Sequence, residues 1–352
     1  MKENRNVLFI FNLETNLESS VLALGHSWIE NLAKNNFEKI FVYSTHVGHH
    51  DLPHSVRVVE LGGGTIPRRL LAVLRLIKST VNISRYSSRA IAFHHMSVRT
   101  TLYPGIFIKL LRIPQGIWYS HSSLPISLRL ATKIADIVFT SVPGSTSINS
   151  NKLRYIGHGI DFANYPDIDE VLKTKKKGIV SLGRIAPIKN LEKILQAGLN
   201  EVGFPEITFI GPTESATTLT KELEILASKN RVSLKFIQAI PHENVPDYLS
   251  KYSLYYSGTP KSVDKSTLEA ASVGCLVVTS EMPARELTGM NNVWNKLGHD
   301  LEIDIKNQIK VMGSISSHEL LAIRRYVMEF TRETNDVVNT TKKIVEQLRN
   351  LR

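Results

Sequence analysis

The strongest constraint on this chain is a repeating alternation of strand-like and helix-like stretches. In the first half "NVLFIFN", "KIFVYS", "VRVVEL", "RAIAFHH", "QGIWYS", "DIVFTS" and "KLRYIG" read as strands, with helical segments near 18–35, 67–79, 99–111 and 127–135 between several of them. The second half repeats the scheme. "GIVSLGR", "EITFIG", "SLKFIQ", "LYYSG" and "CLVVTS" alternate with helices near 190–201, 215–229, 243–251 and 265–273. Such alternation builds parallel sheets with helices on both faces. Two sheets in succession predict an α/β chain of two Rossmann-like, doubly wound domains, which bind ligands beyond the carboxyl ends of their strands. The joint is expected after "YIGHGID", in "FANYPDIDEVLKTKKKG", where Pro166 and a run of lysines break the periodicity. Beyond residue 315 the pattern is helical only.

A length of 352 residues supports two cores rather than one. Apolar content of 42% and charged content of 21% exclude general disorder. One cysteine, Cys275, rules out a disulfide framework and a cysteine-rich metal site, and gives no sign of an oxidising compartment. The opening "MKENRNVLFIFNLE" enters a short strand rather than a signal peptide. No apolar run approaches the ~20 residues that span a bilayer. The expected location is cytoplasmic, peripheral on the inner face of the plasma membrane.

The net charge of +11 is unevenly placed. Residues 1–157 carry 18 Lys and Arg against 8 Asp and Glu, whereas residues 158–352 carry 25 against 24. Between Glu60 and Asp136 lie 11 basic residues and no acidic one. The excess, and with it an anionic partner, belongs to the first domain.

"SLGRIAPIKN" ends a strand at Ser181, turns at Gly183, carries Arg184 and Lys189, and begins a helix with Asn190 as N-cap. Two cations on a strand-to-helix loop converge where a diphosphate would sit, although surface cations are commonly just solvated. "KSTLEAAS" follows the strand "LYYSG", so the first turn of its helix, with Ser266, Thr267 and Leu268, faces the same end of the sheet and favours an anion. Glu269, one turn in, could accept both hydroxyls of a ribose. Its plainer reading is a helix-dipole or i,i+4 pairing role.

These segments carry a family resemblance. "GRIAPIKN" resembles the G-R-x-x-x-x-K-N loop, and "LEAASVGCLVV" the L-E-A-x-x-x-G-x-x-V-V segment, of family 4 glycosyltransferases with the GT-B fold. "YIGHGID" is similar to their turn at the domain junction, and "WYSHSS" followed by "ADIVFTS" to their acceptor-domain strand with its histidine. The resemblance runs from about residue 6 to 350 and implies a GT-B architecture of two domains facing a cleft. It implies an acceptor-binding domain at 1–160, a nucleotide-sugar domain at 161–330, and a last helix at 331–352 crossing back to the first. It further implies that Arg184 and Lys189 bind the donor diphosphate at Gly183, that Glu269 holds the ribose, and that backbone near Ile240 and Pro241 flanks the base.

Two positions depart from the family. Lys261 stands where a second glutamate usually contacts the donated sugar, which would suit an acidic sugar, a changed role or inactivity. Asp264, three residues later, is a candidate replacement carboxylate. The loop "NLETNLESS" lacks the family's glycine pair.

His121 directly follows "QGIWYS", at a strand's carboxyl end, and by the resemblance hydrogen-bonds the donor sugar and lines the reaction centre. His94 and His95 end the preceding strand, one on each face. His158 lies in the junction turn, where a structural role is as natural. "DID" at Asp167–Asp169 mimics a metal signature but reads as solvated linker beside "KTKKK". No metal and no resident cofactor is expected, since Arg, Lys and a helix N-terminus can stabilise a leaving diphosphate.

In "PRRLLAVLRLIK", Leu70, Val73, Leu74 and Ile77 form one seam for packing on the sheet. Arg68, Arg69, Arg75 and Lys78 take the other side, with Leu71 and Leu76 among them. Leucines between arginines suit an anionic membrane surface, here through residues 67–112; a broad core stripe with solvated arginines is the plainer alternative. No nucleic-acid motif accompanies the charge.

The sequence therefore points to a retaining, metal-independent hexosyl-type glycosyltransferase acting from a nucleotide-diphosphate sugar onto a membrane-linked glycan or lipid acceptor in surface polysaccharide assembly. Closure of the cleft would bring Arg184 and Lys189 toward His121. The alternatives are a catalytically degenerate GT-B scaffold that binds nucleotide sugar, and a nucleotide-sugar epimerase.

Overall fold

The computed structural model describes residues 6–17, 24–62, 66–86, 90–121, 123–213, 217–299 and 304–351. The chain divides into two compact units, one of Met1–Asp161 with Asp336–Arg352 and one of Phe162–Asn335.

Unit 1 runs β1 (Val7–Thr15), α1 (Leu24–Ala33), β2 (Lys39–Val47), β3 (Val56–Glu60), α2 (Ile66–Arg85), β4 (Ala90–His95), α3 (Val98–Leu110), β5 (Gln115–Trp118), α4 (Ile126–Ile134), β6 (Ile137–Thr140) and β7 (Leu153–Tyr155). The strands pair in parallel in the order β3-β2-β1-β4-β5-β6-β7. Alternation along β1 sorts its core. Leu8 and Ile10 join Trp28, Ile29 and Leu32 of α1, while Val7, Phe9 and Phe11 join Tyr43, Ile83 of α2 and Ile108 of α3 on the other face. Each such side chain, fully removed from water, is worth about 1.5–3 kcal/mol.

Unit 2 runs α5 (Ile168–Lys173), β8 (Lys177–Leu182), α6 (Leu191–Leu195), β9 (Glu206–Ile210), α7 (Thr217–Lys229), β10 (Ser233–Ile237), α8 (Val245–Leu249), β11 (Tyr252–Tyr256), α9 (Lys265–Ser272), β12 (Leu276–Val278), α10 (Met282–Leu287), α11 (Met290–Lys296), α12 (Ile305–Ser314) and α13 (Ser317–Asn335). Its parallel sheet has the order β10-β9-β8-β11-β12. α14 (Val337–Arg349) then belongs to unit 1, where Val337, Ile344, Val345 and Leu348 enter the core beside α1. Asp336 caps it, accepting from the amides of Val338 at 2.8 Å and Asn339 at 3.1 Å.

Several sequence expectations need correction. β1 extends to Thr15, so the start of "NLETNLESS" is strand; its pairing with β2 continues through Thr15↔Val47. The expected helix start at 18 falls outside the described residues, and α1 is described from Leu24. The presumed linker forms α5: Asp167 accepts from the Asp169 amide at 2.8 Å, Val171 is buried, and Asp169 pairs with Arg325. "DID" is thus a helix start inside unit 2, because an aspartate there meets free amides. Asn190 does stand at the N-cap of α6, but its side chain makes no cap hydrogen bond. It takes a left-handed φ of 46° and donates through Nδ2 to the Gly258 carbonyl at 2.8 Å. On α2, Leu74 and Ile77 are 59% and 56% exposed, so they do not form the packing seam. The sheet face of that helix is carried by Ser79 and Ile83. The side chains of Arg68, Arg69, Leu70 and Val73 lie outside the described residues.

Candidate active site

In both sheets the first strand has neighbours on either side that are reached by opposite crossovers. The resulting crevice beyond the strand ends is where open α/β sheets bind ligands. In unit 2 this switch point lies between β8 and β11.

β8 leads into Gly183, whose φ of 140° suits only glycine and whose Cα lies under the Lys189 ammonium: a Cβ there would sit 3.1 Å from Lys189 Nζ. Lys189 Nζ contacts Asp264 Oδ2 at 2.5 Å, and the same oxygen accepts from Thr259 Oγ1 at 2.5 Å. Asp264 occupies the N-cap position of α9 but makes no side-chain cap, because its carboxylate is turned to Lys189. This is also why Asp264 is not a free substitute for a sugar-binding carboxylate. Arg184 is exposed and makes no hydrogen bond or ion pair among the described residues.

α9 is held tightly against β8 and β11. Ser266 Oγ donates to the Leu182 carbonyl at 2.9 Å and receives the Tyr255 hydroxyl at 2.8 Å. Thr267 Oγ1 donates to Ser257 Oγ at 3.0 Å, and Leu268 is fully buried. The side chains of Ser266, Thr267 and Leu268 are therefore committed to packing. What this stretch can offer a ligand is backbone.

Glu269 is 3% exposed and ionised in good company. Its Oε1 meets His242 Nε2 at 2.9 Å and Lys265 Nζ at 3.0 Å, and those two nitrogens approach each other to 2.5 Å. The imidazole nitrogen can donate to the carboxylate or accept from the ammonium, not both at once. Burial alone would raise the Glu269 pKa, but His242 and Lys265 together outweigh it and hold it below the ordinary 4.5. Both contacts fall on Oε1, and Oε2 has no partner among the described residues. The i,i+4 pairing role is thus real, and it leaves one oxygen to spare. Lys265 was legible as an i,i+4 partner; His242, 27 residues away, carried no local signal.

Ile240 is half-buried against the core beneath α9. Lys261 is exposed, with φ at 55°, and its amide donates to Glu281 Oε2 at 2.8 Å. Glu281 brings a carboxylate to the turn where the sequence has lost one. Close backbone approach sets the other wall: a Cβ on Gly258 would fall 2.3 Å from the Lys189 carbonyl and 2.4 Å from the Tyr256 hydroxyl.

In unit 1 the switch point lies between β1 and β4, and a cavity of about 240 Å³ opens there. Trp28, His95, Trp118 and His158 line it together with Glu14 and Ser120. His95 stacks on Trp118 with ring centroids 5.4 Å apart. Burial first, and His158 next, push the His95 pKa down to about 4, so the ring is a neutral donor and acceptor. His94 faces the other side of the sheet, fully buried between Thr100 Oγ1 at 3.1 Å and Gln115 Oε1 at 3.2 Å; burial pushes it down to about 3. The pair divides as period-two alternation requires, one structural and one lining a cavity.

His121 stands just past β5, exposed. Its Nδ1 accepts from the Ser123 amide at 3.0 Å, so in the neutral ring Nε2 carries the proton and is a hydrogen-bond donor. It is not one of the residues lining the cavity. The Trp28–His95–Trp118 cluster went unrecognised in the sequence, since its members are 23 residues or more apart and each reads alone as core.

No protein-family model matches the chain, and no curated protein matches it in sequence. Solved structures do match in fold. HepE of Anabaena, in complex with UDP and glucose, superposes with a TM-score of 0.65 at 16% identity, over 98% of this chain and 99% of that one. A UDP-forming α,α-trehalose-phosphate synthase from Burkholderia xenovorans gives 0.64 at 13% identity, over 98% and 99%. A glycosyltransferase from Rickettsia africae gives 0.63 at 11%, over 99% and 98%. With its two parallel sheets of seven and five strands, each wound with helices, this chain has the GT-B fold.

Proposed function

We propose that the protein is a glycosyltransferase that moves a sugar from a nucleotide-diphosphate donor to an acceptor. The observation that carries this reading is the clamp between the two halves of the unit 2 site. Lys189 on the loop after β8 and Asp264 at the start of α9 meet at 2.5 Å, one turn from a buried Glu269 with an open oxygen. Cations and helix amides at one end suit a diphosphate, and a carboxylate oxygen beyond suits ribose hydroxyls. Structures of the same fold hold UDP, and UDP with glucose.

In this reading Arg184, exposed and unengaged among the described residues, closes on the diphosphate as a fork while Lys189 acts as a point charge. Together they offset the charge that develops as the glycosidic oxygen leaves, without need of a metal ion. Retention of configuration, a leaving phosphate that takes the acceptor's proton, and a hydrogen bond from His121 Nε2 to the donor sugar complete the proposal. The acceptor is proposed to be a membrane-linked glycan or lipid in surface polysaccharide assembly, met by the basic residues of unit 1. One observation favours a second reading, a scaffold that binds nucleotide sugar without turnover: Lys261 places a cation, not a carboxylate, at the turn before α9.

Nucleoside diphosphate release from UDP-, GDP-, ADP- and dTDP-sugars, with EDTA present, tests this. Release from one donor, lost in Arg184→Ala, supports the transferase. Binding without release supports the scaffold. Absence of nucleotide binding sinks both.

A further inference from the structure

Unit 1 presents an outward surface that its own folding does not explain. α2, α3 and α4 lie side by side on one face of the sheet, and their inward residues, Ile83, Ile108 and Leu128 among them, already fill the core. The residues turned away are apolar as well. Leu74 and Ile77 on α2 are exposed, as are Tyr103, Ile106, Phe107 and Leu110 at helical spacing on α3, Leu110 at 74%. On α4 Ile126 is 77% exposed. Single exposed apolar residues are ordinary; a run across three adjacent helices is not.

The charge around this face is mostly positive, with Lys109 of α3 paired to Asp136 at 2.9 Å. No acid occurs between Glu60 and Asp136, against 11 Lys and Arg. Beside the apolar stripe, β3 and α2 enclose a groove of about 550 Å³. Arg57, Lys78 and Arg85 line it and make no hydrogen bond or ion pair among the described residues. Arg75 adds a fourth cation, its Nη1 donating to the Glu60 carbonyl at 3.0 Å. The Glu60 carboxylate on the wall lies 3.7 Å from His46 Nδ1. Tyr43 is also among the residues lining the groove. Val81 belongs to both features: it lines the groove and is 52% exposed.

We infer that this face lies in the headgroup layer of an anionic bilayer, with the groove holding the phosphate of one lipid. Guanidinium forks and an ammonium suit a phosphodiester oxygen pair, and the stripe across α2 and α3 meets the upper acyl chains. No helix among the described residues is long and apolar enough to cross a membrane, so attachment is by lying on it. The inference rests on the proposed function only in that a membrane-linked acceptor requires the protein at the bilayer; the surface itself is independent of the unit 2 chemistry.

Flotation of the full chain with phosphatidylcholine vesicles, with and without phosphatidylglycerol, tests it. Binding is expected only with phosphatidylglycerol. It should weaken about tenfold or more in Arg57→Gln/Lys78→Gln, and likewise in Ile106→Ser/Phe107→Ser, with melting temperatures unchanged. Equal binding to both vesicles, binding to neither, or full binding by both variants overturns it. Inorganic phosphate bound as tightly as the vesicles, and lost in Arg57→Gln/Lys78→Gln, makes the groove a free-phosphate site and overturns it also. So does capture of an RNA homopolymer in place of vesicles. UDP binding measured on the same protein without vesicles separates the two claims. UDP binding without flotation removes only this inference, and flotation without nucleotide binding removes only the transferase.

Discussion

Lys189 Nζ lies 2.5 Å from Asp264 Oδ2, and this partly buried pair ties the loop after β8 to the first turn of α9. The cation assigned to the diphosphate is therefore positioned before any ligand arrives. Asp264→Asn is expected to cost about 1–3 kcal/mol of stability. It should also raise the Kd for UDP, the loop having lost its anchor. Chemical denaturation and calorimetry read the two effects separately; UDP affinity unchanged in a destabilised variant would show that the pair is structural only.

Glu269→Gln keeps the shape of the site and removes its charge. Because the Glu269 pKa is held below 4.5 in the folded chain, the carboxylate contributes stability above that pH and loses it as pH falls through the lowered value. Wild-type protein should thus lose stability below about pH 4.5 more steeply than Glu269→Gln does. At neutral pH the variant should bind UDP about tenfold or more weakly, since Oε2 no longer offers an anionic acceptor. Parallel acid titrations with matched slopes would exclude the role given to His242 and Lys265.

Unit 1 carries its own acid sensitivity. His94 and His95 are pushed down to about 3 and about 4, against 6.5 when unfolded. Their neutral burial stabilises fully above pH 6.5 and is lost as pH falls toward the folded values, by about 2 kcal/mol each at pH 5. Urea midpoints at pH 7 and pH 5 should converge in His94→Gln relative to wild type.

Gly258→Ala tests close backbone approach without touching charge. The added methyl would meet the Lys189 carbonyl and the Tyr256 hydroxyl at 2.3 and 2.4 Å, so the loop must shift, at a cost of about 1–3 kcal/mol. Nucleotide affinity should fall with it. A crystal structure of the variant with Lys189 unmoved would contradict this.

The strands were legible because buried parallel strands are short apolar runs with β-branched and aromatic residues, as in "NVLFIF" and "CLVV". Helices were harder wherever apolar residues face outward. α2 has an amphipathic pattern, but Leu74 and Ile77 of its expected seam are exposed, and periodicity alone does not tell an outward apolar seam from a core one. Glu269 and Lys189 could be found because each lies within a compact motif. Asp264 was visible as a carboxylate, yet its partner 75 residues back was not, and neither was His242. Contacts made by strand order rather than chain neighbourhood leave no local trace, which is also why Trp28, His95 and Trp118 went unnoticed.

The placement of α14 has a bearing on synthesis. Val337, Ile344, Val345 and Leu348 complete a core whose other members, such as Leu8 and Trp28, leave the ribosome some three hundred residues earlier. Until α14 emerges, the apolar side of α1 lacks its neighbour, while the whole of Phe162–Asn335 is already available to fold. The half translated first is the half finished last. A nascent chain stalled before residue 336 should expose that unclosed surface to chaperones and proteases even with its second half fully native.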